Sequence, residues 1–270
     1  VIYKSSDDSV FETIDVTSDQ VTGSGTTQIT INPTNNLESL TEYYVHIDTP
    51  AFDDTFGNSY AGIVNEWNQI GSDIDGESSS DYSGNSVSLS SDASVVAIGA
   101  YTNDGGGYHS GHVRVYENNN GTWTQIGNDI DGESSYDYSG QSVSLSSDGS
   151  VVAIGAFQND GGGSNSGHVR VYENDNGTWT KIGDDINGES SNDYSGHSVS
   201  LSADGSVVAI GAYMNDGGGT NSGHVRIYEN DNGTWTKIGD DIDGEASGDY
   251  SGYSNSGSAV SLSADGSVVA

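Results

Sequence analysis

The sequence has no cysteine, two prolines, one methionine and six basic residues in 270. Without cysteine there is no disulfide scaffold and no thiolate-ligated zinc. No apolar run approaches the length of about 20 residues needed to cross a bilayer, so no membrane insertion is expected in this segment. The six Lys and Arg stand against 40 Asp and Glu, a formal net charge of −34. A surface of that sign repels nucleic acid and anionic membranes and attracts cations. It also serves solubility in a salty medium. Apolar residues make up only 32%, so a core must come from thin, regular layers and not from one bulky centre. The chain opens on Val1 without an initiator Met or signal peptide and stops inside the repeated phrase "LSADGSVVA". It therefore reads as a piece of a longer polypeptide, which leaves secretion open.

What is abundant is glycine (39 residues), tyrosine (16) and a Ser, Thr and Asn background. These suit many short strands joined by tight turns. Aromatic and β-branched residues recur at fixed places, which argues against disorder. Trp67, Trp123, Trp179 and Trp235 follow one another every 56 residues, and "SGHVRVYEN" or "SGHVRIYEN" and "GTWT" return with them. Spacing without drift marks one supersecondary unit copied in tandem.

Each copy contains four strand-like runs. "SVSLS" (86–90) alternates Ser with Val87 and Leu89, as a half-buried strand does. "SVVAIGA" (94–100) is nearly continuous and apolar, the mark of a strand covered on both faces. "HVRVYE" (112–117) puts Val113 and Val115 on one side and His112, Arg114 and Tyr116 on the other. "TWTQIG" (122–127) sets Trp123 and Gln125 opposite Ile126. Asp-Gly and Asn-Gly connectors supply hairpin turns, and "NDGGG" (103–107, 159–163, 215–219) joins the second run to the third. Four antiparallel strands per unit, with no helical periodicity, fit a propeller blade better than a solenoid coil. The expected fold is all-β: a partial β-propeller over 64–270, with Val87, Leu89, Val96, Ile98, Val113, Val115 and their repeat mates packed between sheets. "NEWNQIG" (65–71) reads as a lone fourth strand, and the partial unit at the end carries five extra residues. The Trp residues are expected to pack blades together and not to form a sugar-stacking row.

"YSGQSVSLSSDGSVVAIGA" (138–156) followed by "SGHVRVYE" resembles the FG-GAP repeat of integrin-α-type propellers. "YSG" stands where that family has Phe-Gly, and "IGA" where it has Gly-Ala-Pro. The proline is absent, and the family's calcium loop between the first two strands has shrunk to "SSDGS", so its calcium site does not carry over to Asp148 or Asp204. Residues 1–63 lie outside the repeat. "TQITINP", "TEYYVHID" and "FDDTFGNSYAGI" read as the last strands of an Ig-like sandwich. They resemble the Ig-like domain of bacterial surface-layer proteins through Tyr43 or Tyr44, Val45, Ile47, Asp54, Gly57 and Asn58.

The acidic phrase "DIDGESSSDYSG" (73–84) links one unit to the next and recurs with carboxylates at its positions 1, 3, 5 and 9. The copies are Asp73, Asp75, Glu77 and Asp81; Asp129, Asp131, Glu133 and Asp137; Asp185, Asn187, Glu189 and Asp193; Asp241, Asp243, Glu245 and Asp249. Alternate oxygen ligands turned by a glycine are how a loop wraps calcium. The competing reading is a solvated turn in which the last Asp caps the backbone. Arg114, Arg170 and Arg226 are expected to pair with neighbouring carboxylates. His112, His168 and His224 share one strand position, which points to a structural part, and His46, His109 and His197 have no partner pattern. Asn120, Asn176 and Asn232 open N-glycosylation acceptor triplets that are also hairpin turns. No nucleophile elbow, phosphate loop or zinc pattern is present. These features lead to the expectation of a non-enzymatic adhesion or ligand-binding protein outside the cell or on its surface, with a protein or glycan ligand on the propeller's loop face. A structural array of the cell envelope and an accessory domain of a secreted hydrolase are the alternatives.

Overall fold

The computed structural model describes residues 1–5, 9–22, 30–37, 41, 43–47, 69–253 and 259–270. Two compact units divide the chain, Val1–Gln69 and Ile70–Ala270. In the first, β1 (Ile2–Lys4) lies between β2 (Val10–Glu12) and β5 (Tyr43–Val45) in an antiparallel sheet. A second pair joins β3 (Val21–Thr22) to β4 (Thr30–Ile31). Strands thus occur within "TQITINP" and "TEYYVHID". Asp54, Gly57, Asn58 and Trp67, and with them most of "NEWNQIG", lie outside the described residues.

The second unit is a partial β-propeller, all β with no helix among the described residues. Its first blade comprises β6 (Ser86–Leu89), β7 (Val95–Ala100), β8 (His112–Asn119), β9 (Thr122–Gln125) and the short β10 (Ile130–Asp131). The second repeats this as β11 (Ser139–Leu145), β12 (Val151–Ala156), β13 (His168–Asp175), β14 (Thr178–Lys181) and β15 (Ile186–Asn187). The third is β16 (Ser195–Leu201), β17 (Val207–Ala212), β18 (His224–Asp231) and β19 (Thr234–Asp243). The first four strands of each blade pair antiparallel in succession.

The second strand of the middle blade is buried on both faces because each face belongs to a different interface. Val152 and Ile154 of β12 pack with Val95, Ala97, Val113 and Val115 of the first blade. Val151 and Ala153 of the same strand pack with Val199, Leu201, Val208 and Ile210 of the third. Polar groups stitch the same interfaces. Leu145 N donates to Ser88 Oγ at 2.9 Å and Leu201 N to Ser144 Oγ at 3.0 Å. Ser142 Oγ donates to Gly196 O at 2.8 Å. Serine thus takes the place of bulk in this thin core: its small side chain lets blades approach, and its hydroxyl occupies a polar group of the next blade.

One packing expectation is corrected. Val143, Leu145, Val199 and Leu201 are buried as expected, but Val87 and Leu89 are 62% and 55% exposed. These two side chains occupy the face that a preceding blade covers in the later copies, and no described blade stands before β6.

The turns follow the residue chemistry. Asn120 and Gly121 have φ of +53° and +89°, and Asn176 and Gly177 repeat this with +51° and +87°, the pattern of a type I′ hairpin. In "SSDGS" the Asp148 carboxylate accepts from Ser150 N at 2.9 Å and from Ser146 and Ser150 hydroxyls at 2.7 Å. These bonds hold its pKa below the usual carboxylate value.

Candidate functional site

The second, third and fourth acidic phrases begin in strands. After β9 the chain bends at Gly127 (φ +72°) and returns to β8, pairing Ile130 with Val113 and Asp131 with His112. The second blade does the same with Ile186 and Asn187, and in the third the whole stretch is the continuous β19. Positions 1 and 3 of a phrase therefore stay with the blade just completed. Positions 5 and 9 lie beyond the turn and serve the next blade.

The four carboxylate positions of one phrase do not meet, then, as a single wrapping loop would require. One cavity of about 580 Å³ is lined by Glu133 and Asp137, by Asn159 and Asp160 of the "NDGGG" loop, and by Asp185 and Asn187 of the following phrase. Its copy, about 530 Å³, is lined by Glu189 and Asp193, Asn215 and Asp216, then Asp241 and Asp243. In the first blade the same places are held by Glu77, Asp81, Asn103, Asp104, Asp129 and Asp131. Asp73 and Asp75 are exposed, as are Glu245 and Asp249, at the two ends of the series.

A guanidinium on the third strand of each blade joins the two phrases. Arg114 Nε and Nη2 donate to Asp129 Oδ1 and Oδ2, each at 2.9 Å, and Nη2 also pairs with Glu77. Arg170 holds Asp185 at 2.9 and 2.8 Å and pairs with Glu133. Arg226 lies 3.3 Å from Asp241 through Nε and pairs with Glu189. The two-pronged contacts of Arg114 and Arg170 are among the stronger ion pairs. The hydrogen bonds from Arg114 outweigh burial and hold Asp129 below the usual carboxylate range. Burial pulls Asp185 upward, but Arg170 and Lys181 together hold it well below that range. Lys181 and Lys237 add a second cation at 2.6 and 2.5 Å from Asp185 and Asp241, whereas the first blade has the neutral Gln125, 2.7 Å from Asp129.

Position 9 has a different partner. Asn103, Asn159 and Asn215 donate from Nδ2 to Asp81, Asp137 and Asp193 at 2.8, 2.9 and 2.9 Å. Asp137 and Asp193 also accept from the backbone N–H of Ser134 and Ser190 at 3.0 Å. The capping expected of the final Asp is thus present. Burial nevertheless raises the Asp137 pKa, and it raises that of Asp131 as well.

The strand histidines, read from sequence as structural, stand beside these carboxylates. His112, His168 and His224 are at most 3% exposed, with Nδ1 3.6, 3.7 and 3.8 Å from Asp129, Asp185 and Asp241. Burial lowers their pKa values, that of His168 to about 4. Glu77, His112 and Asp129, with their copies Glu133, His168, Asp185 and Glu189, His224, Asp241, form groups whose ligand atoms lie within 4.8 Å of one another. Such groups have the composition of a metal site, and in each the arginine already bonds both carboxylates.

The same end of the blades carries a row of aromatic rings. Tyr82, Tyr101, Tyr138, Phe157, Tyr194 and Tyr213 follow one another with centroids 5.4 to 6.0 Å apart. They come alternately from "YSG" and from the residue after "IGA". Their row was not anticipated from the sequence, although the recurrence of Tyr or Phe at both positions signalled it. Trp123, Trp179 and Trp235 lie elsewhere, with Trp179 and Trp235 packed against the inter-blade cores.

Residues 130–172 and 187–228 match the FG-GAP repeat. No curated protein matches the chain. Among solved structures, a Bacteroides uniformis protein assigned as a 6-phosphogluconolactonase is 14% identical, with a TM-score of 0.41, over 58% of this chain and 39% of its own. Hydrazine synthase of Kuenenia stuttgartiensis is 10% identical, with a TM-score of 0.37, over 65% of this chain and 42% of its own. The periplasmic gluconolactonase PpgL of Pseudomonas aeruginosa is 16% identical, with a TM-score of 0.33, over 58% and 56%. The chain thus spans about two fifths to just over half the length of these proteins.

Proposed function

We propose that this chain, which carries FG-GAP repeats on β-propeller blades, is a non-enzymatic binding module. It acts in adhesion or ligand capture outside the cell or on its surface, with residues 1–63 an Ig-like spacer. The observation that supports this reading is the repetition of one polar, carboxylate-lined cavity at the same end of successive blades. Such repetition suits a broad recognition surface for a protein or glycan. The acidic positions are nearly uniform from blade to blade, so none of them is singled out as a catalytic acid or base.

Calcium belongs to the same reading. The groups facing each cavity are carboxylates and amides, hard oxygen donors of the kind calcium takes. One guanidinium in each blade already satisfies two carboxylates, so calcium would be held by the rest, above all by position 3 and by Asp81 and its copies. The Asn159 and Asn215 amides would share in this. The ion would supply positive charge where the fold leaves an excess of negative charge.

The test is a ligand screen of the intact chain against arrayed glycans and extracellular proteins, with calcium and with chelator. Saturable binding that chelation weakens is the expected result. Turnover of ester or glycoside substrates by the same preparation would overturn the non-enzymatic reading.

A further inference from the structure

Tandem copies provide an internal control, because a position that the fold itself dictates is filled alike in each. Three positions break the pattern together. Tyr108 stands where the copies have Ser164 and Thr220, His109 where they have Asn165 and Asn221, and Tyr136 where they have Ser80, Asn192 and Gly248. The backbone does not register the change. His109, Asn165 and Asn221 have φ of +54°, +51° and +51°, and Tyr136, Asn192 and Gly248 have +70°, +66° and +83°. Asp104, Asp160 and Asp216 each accept from the backbone N–H of His109, Asn165 and Asn221 at 2.7 Å. Tyr136 N donates to Tyr108 O at 2.9 Å, as Asn192 N does to Ser164 O at 2.8 Å.

The left-handed conformation suits Asn and Gly and disfavours a bulky ring. The aromatic residues at 109 and 136 therefore add strain at positions whose geometry the copies reach with Asn, Gly or, at Ser80, a small serine. Burial does not compensate for it, since Tyr108 and Tyr136 are each 54% exposed. The rings instead gather with one another. Tyr108 stacks on His109 at 4.0 Å and meets Tyr136 edge-on at 5.3 Å, and His109 reaches Tyr138 of the aromatic row at 5.7 Å. Tyr136 also lines the acidic cavity with Glu133, Asp137 and Asp160.

We propose that Tyr108, His109 and Tyr136 form a docking patch for a basic, Lys- or Arg-bearing segment of a protein partner. This rests on the binding-module reading above and narrows its ligand. An aliphatic stem would lie on the rings while its cationic head meets ring faces and the carboxylates beside them. A neutral sugar also stacks on tyrosine but draws nothing from the surrounding charge, which favours a cationic occupant.

The experiment titrates the full chain with oligo-lysine and oligo-arginine peptides, a Ser/Gly peptide of equal length and neutral oligosaccharides. The comparison protein carries Tyr108→Ser, His109→Asn and Tyr136→Asn, the residues that the copies use. It has the same carboxylates, so any difference reports the rings and not bulk charge. The basic peptides are expected to bind the parent and to lose about tenfold in affinity on the variant, as loss of clustered aromatic anchors does. The melting temperature of the variant should equal or exceed that of the parent. A second variant, Asp160→Asn with the rings intact, should bind the basic peptides more weakly and with less sensitivity to salt. Peptide binding unchanged in the triple variant would overturn the patch and leave the binding-module reading standing. A fall in its melting temperature would assign the rings to packing. Ring-dependent binding of oligosaccharides without binding of basic peptides would make the patch a glycan site, and a parent that bound neither class would contradict both proposals.

Discussion

The indole N–H of Trp179 donates to the carbonyl of Ile126, 2.9 Å away and one blade back in the chain. Trp235 makes the same bond to Ile182, and Trp123 makes it to Ile70. The ring of Trp179 also packs against the core between the first two blades. The residue thus closes an interface with its apolar body and satisfies its one polar atom there. Trp179→Ala should cost about 2–4 kcal/mol, below the full value for a wholly buried ring because the side chain is only partly covered. Trp179→Phe should retain much of the packing and lose about 1 kcal/mol for the missing bond. Chemical denaturation of the two variants checks the order.

Removing a built-in cation should expose the charge it holds. Arg170 is largely buried between Glu133 and Asp185. Arg170→Gln would leave Glu133 without its cation and Asp185 with Lys181 alone, a loss of about 2–3 kcal/mol given that Glu133 is partly exposed. Calcium should restore more stability to this variant than it adds to the parent, because a cation that binds only the folded state stabilises it by mass action. Thermal melts with and without calcium measure both effects.

The turn in "SSDAS" offers a cleaner test of backbone strain. Ala93 has φ +58°, where the copies have Gly149, Gly205 and Gly266. Ala93→Gly should stabilise the chain by up to about 1 kcal/mol, the relief of left-handed strain offset by the entropy of glycine. The reverse change is harsher. A Cβ at Gly149 would stand 2.6 Å from Val95 Cβ of the preceding blade. Gly149→Ala should therefore cost more than Ala93→Gly gains, and paired denaturation curves would show the asymmetry.

Acid should loosen the blades before their arginine-paired carboxylates titrate. His168 and His197 have pKa values lowered by burial to about 4, from an ordinary 6.5. A base whose folded pKa is depressed contributes stability that is complete above 6.5 and is lost as pH falls toward 4. Each of these two should contribute on the order of 2–3 kcal/mol within that window. The paired carboxylates, with pKa values lowered from 3.8, lose their contribution only at lower pH. Melting temperature against pH should fall between 6.5 and 4, and His168→Gln should flatten part of that slope.

Much of this architecture was legible because repetition displays it. The 56-residue period, the two-faced burial of "SVVAIGA" and the Asn-Gly hairpins follow directly from residue pattern. Arginine pairing was also readable, since each blade offers one guanidinium and many carboxylates. The grouping of those carboxylates was not. Positions 1, 3, 5 and 9 look like one loop in sequence, but Ile130 and Asp131 return to pair with β8 and take position 3 with them. The clue was there in "DID", an apolar residue between two acids in strand alternation. The exposure of Val87 and Leu89 shows a related limit, for a strand's pattern states which face is apolar and not whether a neighbour covers it.

The residual charge differs among blades in a way that ranks their affinity for cations. The first blade sets Glu77, Asp81, Asp104, Asp129 and Asp131 against Arg114 alone. The second replaces one carboxylate by Asn187 and adds Lys181, so it should bind calcium most weakly. Asn187→Asp should strengthen it, which a calcium titration of that variant would show.

The central claim is that each acidic site is assembled from two successive phrases and not wrapped by one. The direct measurement is a pair of double-mutant cycles on calcium affinity, read by calorimetry at physiological ionic strength. One cycle combines Glu77→Gln with Asp131→Asn, which share a blade across two phrases. The other combines Asp131→Asn with Asp137→Asn, which share a phrase across two blades. The two-phrase site predicts effects that are non-additive in the first cycle and additive in the second. Coupling confined to Asp131 and Asp137, or no saturable calcium binding in the parent, would contradict it.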